Sequence, residues 1–304
     1  MSVFNGKDFL RAAVDSVLAQ TFQDFEFVII DDGSKDSSTQ IIRGYTDSRI
    51  ILVSQENRGL AAALNRGLEI ARGEYIARQD ADDISLPDRF AAQVRFLDAH
   101  PEIAVLGTGA LLIDSEGRPF SKFSPFMRHR RLVAELHRGV CPLMHGSVMV
   151  RRGAIVAVGG YKPVFSHAQD VELWLRMSGR YRLANIRESF YHYRKHNQSI
   201  TQSAYIDLKI RAFGKAGKFS TNTNPKEWVR FVEEFDRNVK GSRWERVLKA
   251  EQLLRDSQVA MAGRRPWPAA LCLCSALRLH PGLTIEIPDR VCRRLWRTLL
   301  PNIC

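Results

Sequence analysis

The sequence predicts an α/β protein with a mostly parallel central sheet, helices on both faces of that sheet, and a helical C-terminal region. Short β-rich runs alternate with helical patterns over the first half of the chain, which is typical of a Rossmann-like sheet. After residue 199 the composition shifts to segments rich in Lys, Arg, Glu and Ala. With 304 residues, 45% of them hydrophobic, the chain is long enough to bury a full core. We expect an α/β domain over residues 1–203 and a basic helical region over residues 204–304.

The first elements follow from residue spacing. Asn5 is the predicted N-cap of an amphipathic helix whose apolar residues recur every three or four positions. Three short β-rich runs follow at residues 25–30, 49–54 and 73–77, with helical patterns between them. After a further helix, residues 103–113 are predicted to form a longer strand.

The elements after residue 140 are less regular. Residues 146–150 are predicted as a strand that leads into a helix ending near Val158. The segment 170–176 has its apolar residues on one helical face, with Asp170 near the amino end. Two short strands are expected next, at residues 181–187 and 189–194.

Two acidic clusters follow predicted strands. Asp31 and Asp32 close the first β-rich run, and the segment 78–83, Arg-Gln-Asp-Ala-Asp-Asp, closes the third. Ligands of such sheets bind at the carboxyl ends of the strands, and carboxylate oxygens are the ligands that Mg²⁺ and Mn²⁺ prefer. Taken alone, the second cluster is equally well explained as a solvated Asp-rich turn.

The charge of the chain is concentrated at its C-terminal end. The formal net charge is +12, and from Tyr205 onward 19 Lys or Arg stand against 10 Asp or Glu, a difference of +9. A basic surface favours anionic partners such as anionic lipid. No recognised nucleic-acid motif accompanies the charge, so we expect no nucleic-acid partner. The apolar run at residues 266–279, which has basic flanks, is either an interfacial membrane anchor or a packed helical hairpin.

Cysteine usage and hydropathy favour a cytoplasmic protein. The five cysteines are odd in number and show no zinc-site spacing, which fits a reduced compartment. No run approaches the roughly 20 apolar residues that a membrane span needs, and the first residues do not form a signal peptide. We therefore expect a cytoplasmic location, with the basic region peripheral at the inner membrane face.

Several motifs occur together in one order. They are Phe4-Asn5, Asp31-Asp32-Gly33-Ser34, Asn57-Arg58-Gly59-Leu60, the acidic segment 78–83, His145-Gly146-Ser147-Val148-Met149 and Gln169-Asp170-Val171-Glu172-Leu173-Trp174. Together they resemble the bacterial family 2 glycosyltransferases over about residues 2–200. The resemblance implies the GT-A fold, built around one continuous sheet, and transfer of a sugar from a nucleotide diphosphate with inversion.

The resemblance also implies roles for particular residues. Asp170 matches the catalytic base, and Asp82 matches the ligand of a divalent Mn²⁺ or Mg²⁺. The implied donor-binding residues are Phe4, Asn5, Asp31, Asp32, Arg58, Arg78 and Asp80. Contacts to phosphates or to the acceptor are expected from His145, Trp174, Arg194 and His196. For Arg78, Arg194 and His196, a structural ion pair is an equal alternative.

The implied partners are a nucleotide diphosphate sugar and a hydroxyl of a cell-surface polysaccharide or lipid-linked glycan. Two features depart from the family pattern. Gln169 stands where the family has Glu, and Met1 to Phe4 match only the end of the family's first strand. A misassigned start codon is the favoured explanation of the second departure. The competing function is a non-catalytic nucleotide-sugar-binding protein, or an inactive truncated homologue.

Overall fold

The computed structural model describes residues 1–165, 167–196 and 220–239, together with the single positions 210, 214 and 253. The strands in these ranges are β1 Ser2–Val3, β2 Phe27–Asp31, β3 Ile50–Ser54, β4 Tyr75–Ala77, β5 Ile84–Ser85, β6 Ile103–Ile113, β7 Pro119–Phe123, β8 Met149–Arg151 and β9 Arg182–Arg194. The α-helices are α1 Lys7–Leu18, α2 Ser38–Arg43, α3 Leu60–Ile70, α4 Arg89–Ala99, α5 His129–His137, α6 Arg152–Ala157, α7 Gln169–Ser178 and α8 Pro225–Val239. A 3₁₀ turn, His145–Ser147, precedes β8.

The strands fall into two sheets. β1, β2 and β3 form a parallel sheet in that order. The second sheet has the order β4-β8-β6-β9-β5, with β7 added to β6, and only its β6–β9 pair is parallel. The α/β prediction is confirmed. The expected single continuous sheet is divided, because β1 contributes only two residues and the structure records no pairing between β1 and β4.

Two hydrophobic clusters fill the interior. One lies between the parallel sheet and the helices α1 and α4, with Leu10, Val14 and Ile29 fully buried. The other surrounds Trp174 of α7 and includes Trp228 of α8, whose ring lies 5.4 Å from that of Phe165. A helix from beyond residue 203 therefore packs into the same core as the sheet. The predicted boundary itself lies outside the described residues and stays a prediction.

Two local predictions were wrong. Asn5 does not cap α1: Gly6 holds that position, and the Asp36 carboxylate accepts the N–H of Lys7, the first helical residue, at 3.1 Å. The two short strands expected at residues 181–187 and 189–194 form one strand, β9, because irregular register with β6 near Gly109 lets the pairing continue.

Other predictions fall on residues that the structure does not describe. They concern the apolar run 266–279 and the cysteines beyond Cys141. Within the described part of the chain, none of the helices has the length and apolar character needed to cross a bilayer.

Candidate active site

The first acidic turn, at the carboxyl end of β2, is fully braced by the protein. Asp31 accepts hydrogen bonds from the Ser34 N–H at 3.1 Å and from the Thr39 hydroxyl. Asp32 accepts from the Gln55 side chain at 2.7 Å and from the N–H groups of Arg58 and Gly59 at 3.0 and 2.9 Å. Both aspartates are 2% exposed. Their carboxylates therefore hold the turn after β2 to the loop that precedes α3.

The loop after β1 is fastened to the same turn. Asn5 adopts φ 51°, accepts from the Lys35 N–H at 2.8 Å, and donates its own N–H to the Ser34 hydroxyl at 3.0 Å. Phe4 beside it is 50% exposed, and the side chain of Arg58 is also exposed. These residues leave a rigid rim with an exposed aromatic ring and a cationic side chain.

Gly33 allows the first turn to approach its neighbour. It has φ 79°, and a Cβ built on it would lie 2.7 Å from the Asn57 nitrogen. Only glycine suits this backbone conformation and this spacing.

The second acidic cluster, which we call the acidic loop, comprises residues 78–83 after β4. Arg78 is buried and its guanidinium meets the Asp80 carboxylate at 2.5 Å. Burial opposes ionisation of Asp80, but the charge of the Arg78 guanidinium outweighs it, so the pKa of Asp80 is lowered. The loop also touches the loop after β1, since a Cβ on Gly6 would lie 3.6 Å from the Ala81 Cβ.

A buried polar network under the acidic loop was not predicted. The Gln79 side chain donates to the Asp83 carbonyl at 3.0 Å and accepts from Ser85 and Arg89 at 2.6 and 3.1 Å. Arg89 of α4 also donates to the Arg78 carbonyl at 2.7 Å and to Gln93 at 3.0 Å. Burial lowers the pKa of Arg89 to about 10, which leaves the side chain charged at neutral pH. These side chains set the backbone course of the loop.

Asp83 and Arg194 form a second brace. The Asp83 carboxyl accepts the Arg194 N–H at 2.7 Å, and the guanidinium of Arg194 donates to the backbone carbonyls of Asp82, Asp114 and Ser115. Burial and then the carboxylates of Asp82 and Asp80 raise the pKa of Asp83 well above its ordinary value. Because Arg194 is only 5% exposed, these contacts favour a structural role for its side chain over a contact with phosphate or acceptor.

Asp82 is partly exposed, like Asp80 and unlike the buried Asp83. The side chain of Asp82 is 34% exposed and that of Asp80 is 29% exposed, and one Asp82 carboxylate oxygen lies 2.9 Å from Nε2 of His196. The His196 ring also packs against Phe9 of α1, with ring centroids 4.7 Å apart.

A third group lies around the 3₁₀ turn and the start of α7. His145 Nε2 lies 2.9 Å from the Tyr161 hydroxyl, and its ring stands edge-on to Trp174 at 6.1 Å. Burial, with Arg78 nearby, lowers the pKa of His145 to about 4, so the imidazole is neutral at pH 7. Trp174 is 1% exposed and lies behind His145, so its predicted acceptor contact would require a rearrangement and stays a prediction.

Asp170 stands in the first turn of α7, where the helix dipole favours a negative charge. One carboxylate oxygen accepts the N–H of Val171 at 2.9 Å, and the side chain is partly exposed. Its charge acts on His145 and Tyr161 and, with burial, raises the pKa of the Cys141 thiol. The structure therefore brings Arg78, Asp80, His145 and Asp170 into one electrostatic neighbourhood.

Gly146 and Tyr191 complete the site and were not predicted. A Cβ on Gly146 would lie 2.1 Å from the Tyr191 hydroxyl and 2.6 Å from an Asp80 carboxylate oxygen. The Asp80 N–H donates to the same hydroxyl at 3.3 Å. The glycine at the centre of the His-Gly-Ser motif is the sequence signal for this close approach.

The described residues provide some, but not all, of the ligands that a divalent cation needs. Within residues 1–165, 167–196 and 220–239, no three His, Cys, Asp or Glu side chains converge as a ligand set. Mg²⁺, however, is commonly held by one or two carboxylates, with phosphates and water supplying the rest. Asp82, exposed and carrying a hard oxygen donor, suits that arrangement.

The architecture defines a class of protein, an α/β fold with clusters of polar side chains at the carboxyl ends of β2 and β4. Two solved structures share this architecture. S. aureus TarS 1-349 in complex with UDP-GlcNAc matches with a TM-score of 0.56 and 16% sequence identity, and the match covers 91% of this chain and 90% of that one. The mannosyltransferase PcManGT from Pyrobaculum calidifontis in complex with GDP-Man and Mn²⁺ matches with a TM-score of 0.56 and 19% sequence identity, and the match covers 97% of this chain and 82% of that one. The fold is GT-A, as predicted.

Sequence comparison identifies the family. Residues 1–159 match glycosyl transferase family 2. The chain is 33% identical over 212 residues to EpsE of Bacillus subtilis (strain 168), which covers 67% of this chain and 75% of that one. It is 31% identical over 210 residues to the O-antigen biosynthesis glycosyltransferase WbnJ of Escherichia coli, and this match covers 67% of this chain and 81% of that one. The chain belongs to glycosyl transferase family 2 and is a glycosyltransferase.

Proposed function

We propose that the protein transfers a sugar, with inversion, from a nucleotide diphosphate donor to a hydroxyl of a cell-surface polysaccharide or lipid-linked glycan. The observation that supports this most directly is that Asp170, at the amino end of α7, and Asp80 of the acidic loop act on the same partly buried side chain, His145. The names of relatives in O-antigen and amylovoran biosynthesis favour a glycan acceptor.

The donor would lie across the carboxyl ends of β2 and β4. Phe4, Asn5 and Arg58 form the rim for the nucleotide, and the buried Asp31 and Asp32 keep that rim in place. A Mn²⁺ or Mg²⁺ held by Asp82 would neutralise the negative charge that develops on the departing diphosphate. Arg78 fixes Asp80 in the same pocket, so that Asp80 presents its charge in a defined position.

Asp170 would act as the general base. In an inverting transfer, the acceptor hydroxyl attacks from the face opposite the leaving group and loses its proton as the new bond forms. Asp170 is partly exposed at the amino end of α7, where an acceptor hydroxyl would have access to its carboxylate. His145 is neutral at pH 7, so it would contact the acceptor as a hydrogen-bonding group, not as a cation.

The test is turnover with purified full chain, Mn²⁺ and a panel of nucleotide sugars, measured as nucleotide diphosphate release. We expect Asp170→Asn to lower kcat by about 10³-fold, because general-base catalysis contributes 10²- to 10⁴-fold. The exposed Asp8→Asn in α1 is the matched control and should leave the rate unchanged. Donor binding without turnover in wild type as well as variant would favour the non-catalytic alternative.

A further inference from the structure

Residues 118–131, which we call the basic segment, hold the charge excess of the first two thirds of the chain. The segment contains five Lys or Arg and no Asp or Glu. Residues 1–204 have 26 of the 45 Lys or Arg and 23 of the 33 Asp or Glu, a difference of +3, so without the segment that range is slightly acidic, with 21 against 23. The positive charge is therefore concentrated in one short stretch, which spans β7, the loop after it and the start of α5.

Three cations of the basic segment are not neutralised by the protein. Arg118 and Arg131 have carboxylate partners at 2.8 and 3.0 Å. Lys122, Arg128 and Arg130 are exposed, and over the part of the chain that the structure describes none of these three forms an ion pair. Exposed cations without an intramolecular carboxylate attract anionic partners, because nothing nearby offsets their field.

Three large apolar side chains are exposed among these cations. Phe120, Phe126 and Met127 are 36%, 44% and 41% exposed. The guanidinium of Arg131 lies 4.8 Å from the centre of the Phe126 ring. A cluster of exposed apolar side chains bordered by cations is typical of a surface that binds at the interface of a membrane, where the apolar groups enter the acyl boundary and the cations stay at the headgroups.

The loop between β7 and α5 is held in place by β9. Asn185 of β9 is fully buried, and its side chain donates to the Phe126 carbonyl at 2.8 Å. The N–H of Leu183, in the same strand, donates to Nδ1 of His129 at 3.1 Å. Because two hydrogen bonds fasten the loop to the sheet, the exposure of Phe126 and Met127 is a property of the folded structure.

The basic segment adjoins the elements of the candidate active site. The guanidinium of Arg194 donates to the carbonyls of Asp114 and Ser115, in the turn just before the segment, at 3.0 and 3.3 Å. The N–H of Arg194 donates to Asp83 of the acidic loop at 2.7 Å. At the other end of the segment, α5 packs against α7, the helix that carries Asp170. A partner bound to the segment therefore lies close to both parts of the site.

We propose that the basic segment docks the protein on an anionic lipid bilayer. The three cations without carboxylate partners meet the headgroup phosphates, and the three exposed apolar side chains enter the boundary of the acyl chains. A glycan of acidic sugars also offers negative charge, but it provides no apolar phase for those side chains. Docking brings the acidic loop near the lipid surface. That this serves a lipid-linked acceptor rests on the proposed function, whereas the docking itself does not.

The first test is flotation of the purified full chain with two kinds of vesicle, one of equal parts phosphatidylglycerol and phosphatidylcholine and one of phosphatidylcholine alone. We expect the chain to bind the anionic vesicles only. The double variant Lys122→Gln/Arg130→Gln should lower the partition coefficient by about 20-fold, because each cation near an anionic membrane contributes roughly fivefold. The double variant Phe126→Ser/Met127→Ser should lower it by at least about fivefold, because it removes the apolar side chains that enter the bilayer.

The matched control is the double variant Arg43→Gln/Arg95→Gln. It removes two exposed cations from α2 and α4, whose apolar residues belong to the cluster beside the parallel sheet. Its partition coefficient should fall far less than that of the first variant. Equal losses in the control, or no flotation of the unmodified chain, would overturn the proposal. Unchanged flotation of both segment variants would also overturn it, because membrane binding would then belong to another part of the chain.

Two further results would separate a bilayer from other anionic partners. A loss confined to the charge variant would show anion binding without insertion and would contradict the proposal. Binding to polygalacturonate without flotation would assign the surface to an acidic glycan instead. None of these measurements uses turnover, so a failure of docking is distinguishable from a failure of the proposed transfer reaction.

If a segment variant does not fold, amide exchange of the unmodified chain provides the decision. With the anionic vesicles, the amides of residues 120–131 should exchange at least about 10-fold more slowly, while those of α2 stay unchanged. With phosphatidylcholine vesicles neither group should change. Unchanged exchange over residues 120–131 with the anionic vesicles would contradict docking through this surface.

Discussion

The two acidic turns carry the same residue type, and each follows the carboxyl end of a strand, β2 in one sheet and β4 in the other, yet their carboxylates make different contacts. Asp31 and Asp32 are buried, and protein donors occupy both carboxylate oxygens of each. In the acidic loop the three carboxylates are divided: Asp80 is paired with the buried Arg78, Asp83 accepts a backbone N–H, and Asp82 lies beside His196 with 34% of its side chain exposed, against 29% for Asp80. The first turn is a brace, whereas the second combines a brace with partly exposed carboxylates.

The largest expected effect separates Asp82 from its neighbours. We expect Asp82→Asn to lower kcat/KM for donor turnover by about 10²-fold or more, because it removes the carboxylate that would hold the Mn²⁺ or Mg²⁺ neutralising the departing diphosphate. Its Tm should hardly change, since Arg194 is held by the Asp82 backbone carbonyl and not by the side chain. Asp83→Asn keeps an oxygen for the Arg194 N–H and is the matched control. Equal losses in both variants would refute the division of roles.

The first turn should respond in stability. We expect Asp32→Ala to lower the free energy of unfolding by about 3 kcal/mol, because three donors lose a charged, buried acceptor. Asp32→Asn, which retains one side-chain oxygen, should lose about half as much. Urea denaturation measures both, and an unchanged midpoint for the alanine variant would show that Asp32 is not a brace.

The environment of the acidic loop should also show in the pH dependence of stability. His145 has its pKa lowered to about 4 in the folded chain, whereas the ordinary value is 6.5. The unfolded chain therefore binds the extra proton first, and stability falls as pH drops from about 6.5 to 4, by at most about 3 kcal/mol.

The control for this prediction is His145→Asn, which should flatten that part of the pH profile. Thermal unfolding between pH 4 and 8 measures the slope in both proteins. Identical slopes would mean that His145 titrates normally in the folded state.

The smallest effect tests how closely the 3₁₀ turn approaches the acidic loop. Gly146→Ala introduces a Cβ within 2.1 Å of the Tyr191 hydroxyl, so we expect a loss of about 2 kcal/mol in unfolding free energy. Adding Tyr191→Phe removes that hydroxyl and should restore part of the loss. A double variant that is less stable than the sum of the singles would indicate a different clash.

Much of the architecture was predictable because strand and helix periods are local properties. Residues 103–113 were predicted and found as one strand. The predictions for Asn5 and β9 were wrong because a helix cap and a strand end depend on partners distant in sequence. The Asn5 side chain accepts the N–H of Lys35, and pairing with β6 continues β9 past its register irregularity. The hydrogen-bond network of Gln79 and Arg89 was not predicted because Gln and Arg side chains ordinarily lie at the protein surface.

The sequence by itself determined the α/β alternation, the positions of both acidic turns and membership of the family, because each depends on residue order along the chain. Only the tertiary structure decided which aspartates are buried by protein partners and which stay partly exposed, and that burial lowers the pKa of His145. Burial, partner distance and strand pairing arise between segments far apart in sequence, and these set the chemistry of each carboxylate.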